Sequence, residues 1–225
     1  NEFFRLFMST KKNIRDSTRC NYKSYWKNAI APSALGIMKI SEIKQIHVKR
    51  LYADLLEKGY SPGTIRAYHI ILSECLQAAV DSDMIRKNPA KGSRKGIDKE
   101  VSKKRALTIE EQETMLEFTR KSNSYKIHYP LTVFALSTEL RVGELGGLLW
   151  DDIDLEKNMI HVRRQLVYRN LDGTGCKFHI QPLKTEAGER DIPLTKTAKK
   201  ALMKQREYDL LLGKRAKEQP VAGLK

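Results

Sequence analysis

The 225-residue chain carries 42 Lys plus Arg against 27 Asp plus Glu, a formal charge of +15, and 40% of its residues are hydrophobic. That apolar fraction excludes a disordered basic tail, while the positive excess favours a polyanionic partner, nucleic acid first among them. No apolar run approaches the roughly 18 residues of a membrane span, the opening Asn1-Glu2-Phe3-Phe4-Arg5 forms no signal-peptide pattern, and Cys20, Cys75 and Cys176 are scattered without C-x-x-C spacing, so a disulfide scaffold or zinc finger is excluded and a reducing, cytoplasmic setting is the default.

Up to residue 90 every periodic segment is helical. Residues 17–30 read as one helix carrying Tyr22, Tyr25 and Trp26. From Ser41, apolar residues at Ile43, Ile46, Val48, Leu51, Tyr52, Leu55 and Leu56 keep helical spacing until Gly59 stops them. Ser61-Pro62 supplies an N-cap and a first-turn proline, and Ile65, Tyr68, Leu72, Cys75, Leu76, Ala79 and Val80 then form one stripe. Asn88-Pro89 closes this bundle. Residues 1–90 hold 15 basic and 8 acidic side chains, net +7.

Residues 91–105 hold 7 basic and 2 acidic side chains, net +5, with glycine, serine and few apolar residues, the composition of a basic interdomain linker. Beyond it, in 106–225, the pattern mixes. Thr108-Ile-Glu-Glu111 is a capping box, and a second helix covers 129–138. Ile160/Val162, Leu166/Tyr168 and Phe178/Ile180 alternate as strands, Asp191-Ile-Pro-Leu194 is an edge strand because it contains proline, and Thr195 caps a long basic helix.

The densest segment runs Thr138-Glu-Leu-Arg141-Val-Gly-Glu144-Leu, then Leu149-Trp-Asp-Asp-Ile-Asp154. Arg141 and Glu144 stand three apart on one helix face, and the local pattern alone reads as a surface ion pair of small energetic worth. Lys184, in Pro182-Leu-Lys184-Thr, reads alone as a solvated turn lysine.

Together with Arg190-Asp-Ile-Pro-Leu194, these segments resemble the tyrosine recombinases, or phage integrase family, most closely the integrases of Gram-positive conjugative transposons. The resemblance covers the whole chain. It implies an all-α N-terminal core-binding domain, a SAM-like helical bundle, followed by an α+β partial catalytic domain with a small antiparallel sheet. Arg141 matches the first active-site arginine, which clamps the scissile phosphate, Glu144 the acidic residue that holds the site in place, and Lys184 the hairpin lysine that protonates the departing 5′-oxygen. Fixed guanidinium and ammonium groups stabilise charge on phosphate oxygens without a metal, so neither cofactor nor metal is implied. Where the family usually has glycine, two residues before Arg141, this chain has Glu139.

The family's later His-x-x-Arg and nucleophilic tyrosine have no match, so the chain reads as truncated before the nucleophile and inactive alone. His161 and Arg164 have that spacing but precede Lys184, and Tyr208 comes too early and reads as a half-buried helix residue. The implied partners are double-stranded core-site DNA, further protomers in a tetrameric synapse and a directionality factor. Lys23, Lys27, Arg66 and His69 are candidate DNA contacts by their polar-face positions, and Lys103, Lys104 and Arg105 would follow phosphates as two domains close round the duplex. Two alternatives stand beside this reading: a truncated integrase that only occupies core sites, and a helical nucleic-acid-binding module of unrelated ancestry.

Overall fold

The computed structural model describes residues 1–97, 105–171, 174–212 and 221–222, and the chain divides into two units, Asn1–Lys104 and Arg105–Lys225. The first is built from helices α1 (Glu2–Thr10), α2 (Asp16–Tyr25), α3 (Gln45–Glu57) and α4 (Pro62–Asp81). The predicted cap starts α4: the Ser61 hydroxyl accepts the Thr64 N–H at 3.2 Å, and Pro62 takes the first helical position. Ile65, Tyr68, Leu72, Cys75, Leu76 and Ala79 are buried as the spacing predicts, with Ile71 beside them. They share a core with Val48, Leu51, Tyr52 and Leu55 of α3 and Phe4, Phe7 and Met8 of α1. Each such large side chain contributes about 1.5–3 kcal/mol when fully removed from water. Burial pushes the Cys75 thiol up to about 12, the state of an inert core cysteine.

Two helices expected as continuous are interrupted. The 17–30 helix is α-helical only through Tyr25, and Trp26–Ile30 form a wider π turn closed by Ala31 N–H to Trp26 O at 2.8 Å. That turn buries Ala29 and Ile30 and lays the Trp26 ring flat on Phe4, 4.0 Å between centroids. Before α3, Ile40–Glu42 form a 3₁₀ turn and the backbone extends through Ile43 and Lys44. Ile43 still packs on the core, so the apolar spacing runs through the break.

The expected linker divides as well. Residues 91–97 fold onto the first unit: Ala90 and Ser93 are buried, Ile97 packs on the core, and the Gln45 amide donates to the Lys91 carbonyl at 2.7 Å. The charge of this stretch hides its anchors because alanine and serine are too small to register in a hydrophobic pattern. Residues 98–104 lie outside the described residues.

The second unit opens with α5 (Ile109–Lys121), capped reciprocally by Thr108 and Glu111 as predicted. Helices α6 (Tyr129–Thr138) and α7 (Val142–Gly146) follow. Strands β1 (Ile153–Asp154), β2 (Met159–Val162) and β5 (Arg190–Pro193) make one antiparallel sheet, with the proline-bearing strand at an edge. Strands β3 (Arg164–Arg169) and β4 (Lys177–Pro182) pair antiparallel in a second sheet, joined in parallel by β6 (Val221–Ala222). The small antiparallel sheet thus becomes two three-stranded sheets parted at Arg163. Helix α8 (Lys196–Leu212) starts at Thr195, whose hydroxyl accepts the Ala198 N–H at 3.2 Å, and its Ala198, Ala201 and Leu202 pack with Phe134, Leu140, Ile160, Val162, Leu183 and Leu194. Among the described residues no helix is long and apolar enough to cross a membrane.

Candidate active site

Helix α6 stops at Glu139, which adopts the left-handed conformation (φ 52°, ψ 25°) and gives its N–H to Ala135 O. This reversal is where the family's glycine stands, and it gives that glycine a reason: left-handed backbone costs a residue with a Cβ about 1–2 kcal/mol. The chain then buries Leu140 and presents Arg141, in extended conformation, as the N-cap of α7.

Helix α7 sits close against β3 because Gly143 and Gly146 within it and Gly147 at its end lack side chains. A Cβ on Gly147 would lie 2.9 Å from backbone atoms of Gln165 and Leu166, and one on Gly143 would lie 3.2 Å from the Leu166 carbonyl oxygen. One on Gly146 would lie 3.2 Å from the Leu166 side chain. The run Val142-Gly-Glu-Leu-Gly-Gly147 is therefore a packing surface that fixes where Arg141 and Glu144 stand.

Glu144 is 3% exposed and its carboxylate is fully engaged. It accepts the Arg141 backbone N–H at 3.0 Å and Arg141 Nη1 at 2.8 Å. From β5, Arg190 adds Nη2 at 2.8 Å and Nη1 at 3.3 Å. The Arg190 guanidinium, ahead of the bonds from Arg141, holds the Glu144 carboxyl down at about 2 against the cost of its burial. The surface-pair reading is corrected on this point: only Arg141, 79% exposed, faces solvent, whereas its partner is buried.

Lys184 is exposed on the turn between β4 and β5. Leu183 anchors that turn in the core, the Gly188 N–H returns to Thr185 O at 2.9 Å, and Arg190 Nη1 grips the Gly188 carbonyl at 3.1 Å. Arg141, Glu144 and Arg190 are thus joined directly, and Lys184 stands on the same turn that Arg190 closes. Arg190 escaped the sequence reading as a site residue. Its signal was partial: it stands two residues before Ile192, in step with the inward face of the strand, and an inward arginine needs a partner, but local pattern does not say which.

The other candidates are dispersed. Lys23 and Lys27 are exposed and line, with Arg5, Arg19, Phe4 and Trp26, an open cleft beside α1 and α2. Arg66 is exposed on α4, whereas His69 is half-buried with Nδ1 2.8 Å from the Tyr52 hydroxyl. Arg105 is exposed and makes a two-pronged pair with Glu111, both contacts at 2.6 Å. Lys103 and Lys104 lie outside the described residues. His161 meets Asp191 across the β2–β5 ladder at 2.7 Å, and Arg164 meets the buried Asp152 at 2.6 Å. Tyr208 is half-buried on α8 beneath the Lys204 ammonium.

Residues 105–220 match the Phage integrase family, and residues 1–56 match the phage integrase N-terminal SAM-like domain. The chain belongs to the phage integrase family. That membership removes the alternative of an unrelated helical module. Among its relatives, the transposase from transposon Tn916 of Enterococcus faecalis is 30% identical over 192 residues, 85% of this chain and 46% of that protein. A XerC-like tyrosine recombinase of Caldanaerobacter subterraneus subsp. tengcongensis is 34% identical over 72% of this chain and 41% of its own length. The solved structure of the Tn1549 transposon integrase in complex with a circular intermediate DNA superposes with a TM-score of 0.84 at 27% identity, covering all of this chain and 68% of that one. The chain spans about half the length of the curated relatives it matches.

Proposed function

We propose that this chain is the DNA-binding and phosphate-positioning portion of a tyrosine recombinase that integrates and excises a conjugative transposon. The observation that carries this is the exposed Arg141 guanidinium, held from behind by a buried Glu144 that is itself gripped by the strand following the Lys184 turn. In this reading Arg141 holds the non-bridging oxygens of the scissile phosphate, and the +15 charge gathers the duplex around it. Lys184 gives its proton to the departing 5′-oxygen as the P–O5′ bond breaks and a tyrosine oxygen bonds to phosphorus, leaving a 3′-phosphotyrosyl link. No histidine follows Lys184 and Tyr208 is the only tyrosine beyond it. In this reading these 225 residues bind and orient DNA, and attack on phosphorus is assigned to none of them.

Lys23, Lys27 and Arg66 are proposed to contact the duplex from the helical unit, and Lys103, Lys104 and Arg105 to follow phosphates between the units. His69, whose Nδ1 lies 2.8 Å from the Tyr52 hydroxyl, is proposed as a further contact from the same unit. Neighbouring protomers in a tetrameric synapse and a directionality factor complete the assembly in this reading.

Anisotropy of a labelled duplex, followed from roughly 50 to 200 mM salt, tests the proposal. The expected result is a linear fall of log affinity with log salt and no adduct surviving SDS. Binding that ignores salt, or no binding, would overturn the DNA-binding role, and an SDS-stable adduct would overturn the assignment of the nucleophile.

A further inference from the structure

The buried Glu144 carboxylate creates a charge problem for any anion that Arg141 is to hold. Taken as a pair the two sum to zero, and a guanidinium cancelled by a carboxylate 2.8 Å away attracts phosphate weakly. Arg190 changes that sum. Its two terminal nitrogens reach both carboxylate oxygens, so the trio carries a net charge of +1. The geometry also separates the two arginines. Arg190 is 32% exposed and its guanidinium is engaged by both Glu144 and the Gly188 carbonyl, whereas Arg141 is 79% exposed and its guanidinium meets Glu144 through Nη1.

We infer that Arg190 is a positioning residue that neutralises Glu144, leaving Glu144 free to orient Arg141 while the Arg141 guanidinium keeps its full charge for a phosphate oxygen. The inference rests on the reading of Arg141 as a phosphate ligand. It explains why a carboxylate can stand directly behind an anion-binding arginine without repelling the anion. The same contacts tie the far end of the Lys184 turn to α7, so one residue serves the charge of the first group and the placement of the second.

A purely structural ion pair and a charge-compensating one respond differently when both partners are made neutral. The test is nitrogen NMR of the Arg141 guanidinium in the full chain, titrated with inorganic phosphate at low ionic strength. In the wild-type chain the Arg141 signal moves saturably. Arg190→Gln weakens phosphate binding by roughly fivefold to tenfold, the scale of one lost unit charge several ångströms away near a surface. The double variant Glu144→Gln with Arg190→Gln binds phosphate severalfold more tightly than Arg190→Gln, because its local charge is again that of Arg141 alone, although it lacks the carboxylate that orients the guanidinium. It buries no unpaired carboxylate, so it folds even if the single Arg190 variant is too unstable to measure. In that event it is compared with Glu144→Gln alone, which carries one more positive charge and binds tighter by the same factor. Wild-type affinity in Arg190→Gln, or a double variant as weak as Arg190→Gln, would overturn the inference. A wild-type Arg141 signal that ignores phosphate would instead overturn the phosphate-ligand reading on which the inference stands.

Discussion

Arg190 donates to both carboxylate oxygens of Glu144, 46 residues earlier in the chain, at 2.8 and 3.3 Å. This contact joins the start of β5 to the first turn of α7, and with it the turn that carries Lys184 to the helix start that carries Arg141. Removing one partner of a buried pair leaves the other charge undersatisfied. Arg190→Ala is therefore expected to destabilise the second unit by about 3 kcal/mol, with Arg190→Lys costing less. The urea transition reported by Trp150 fluorescence checks this, and an unchanged midpoint would contradict it.

Glu144 also predicts an acid limb of stability. Its carboxyl is held at about 2 in the folded chain against an ordinary value of 4.5, so the folded state binds its proton less readily than the unfolded state. The stabilisation is fully present above about pH 4.5 and is lost as pH falls towards 2, with a total on the order of 3 kcal/mol. Glu144→Gln is expected to flatten the stability profile over this interval, as measured by urea denaturation at a series of pH values. A profile that keeps its slope in the variant would assign the acid limb to other carboxylates.

At Glu139 the backbone conformation and the charge argue in the same direction. With φ at 52° a glycine relieves left-handed strain, and its substitution removes a carboxylate two residues from Arg141. Glu139→Gly is expected to stabilise the second unit by about 1 kcal/mol and to tighten duplex binding. Thermal unfolding and anisotropy read the two effects separately, and a destabilised variant would contradict the strain argument.

The glycines of α7 make a steric prediction. A methyl group on Gly147 would meet backbone atoms of Gln165 and Leu166 at 2.9 Å, so α7 must move away from β3. Gly147→Ala is expected to cost about 1–3 kcal/mol and to lower phosphate affinity at Arg141, while Gly63→Ala on α4, where the nearest atom is a side-chain oxygen at 3.8 Å, is expected to be neutral or stabilising. Equal responses at the two positions would contradict the account of α7 packing.

Much of this was legible in the sequence, for reasons that can be named. The Ser61-Pro62 and Thr108…Glu111 caps act within four residues, so their side-chain bonds follow from local spacing. The α4 stripe follows from a regular helix against a single core. The π turn at Trp26 and the break at Ile43 were not legible, because both keep their apolar residues on the core side and leave the periodicity intact. The burial of Glu144 was not legible either. It depends on Arg190, which local pattern cannot bring near, and on the close approach of α7 to β3 that Gly143, Gly146 and Gly147 allow. His69 reads as a polar-face residue, yet its ring is bound to Tyr52 one helix away, a contact set by tertiary packing.

The structure of this chain bound to a duplex would test the central claim most directly. The account predicts the Arg141 guanidinium about 2.7–2.9 Å from a non-bridging phosphate oxygen, with Glu144 and Arg190 still paired behind it and the Lys184 ammonium directed at the same phosphodiester. Arg141 and Lys184 on different phosphates, or Arg141 left in solvent beside bound DNA, would contradict it.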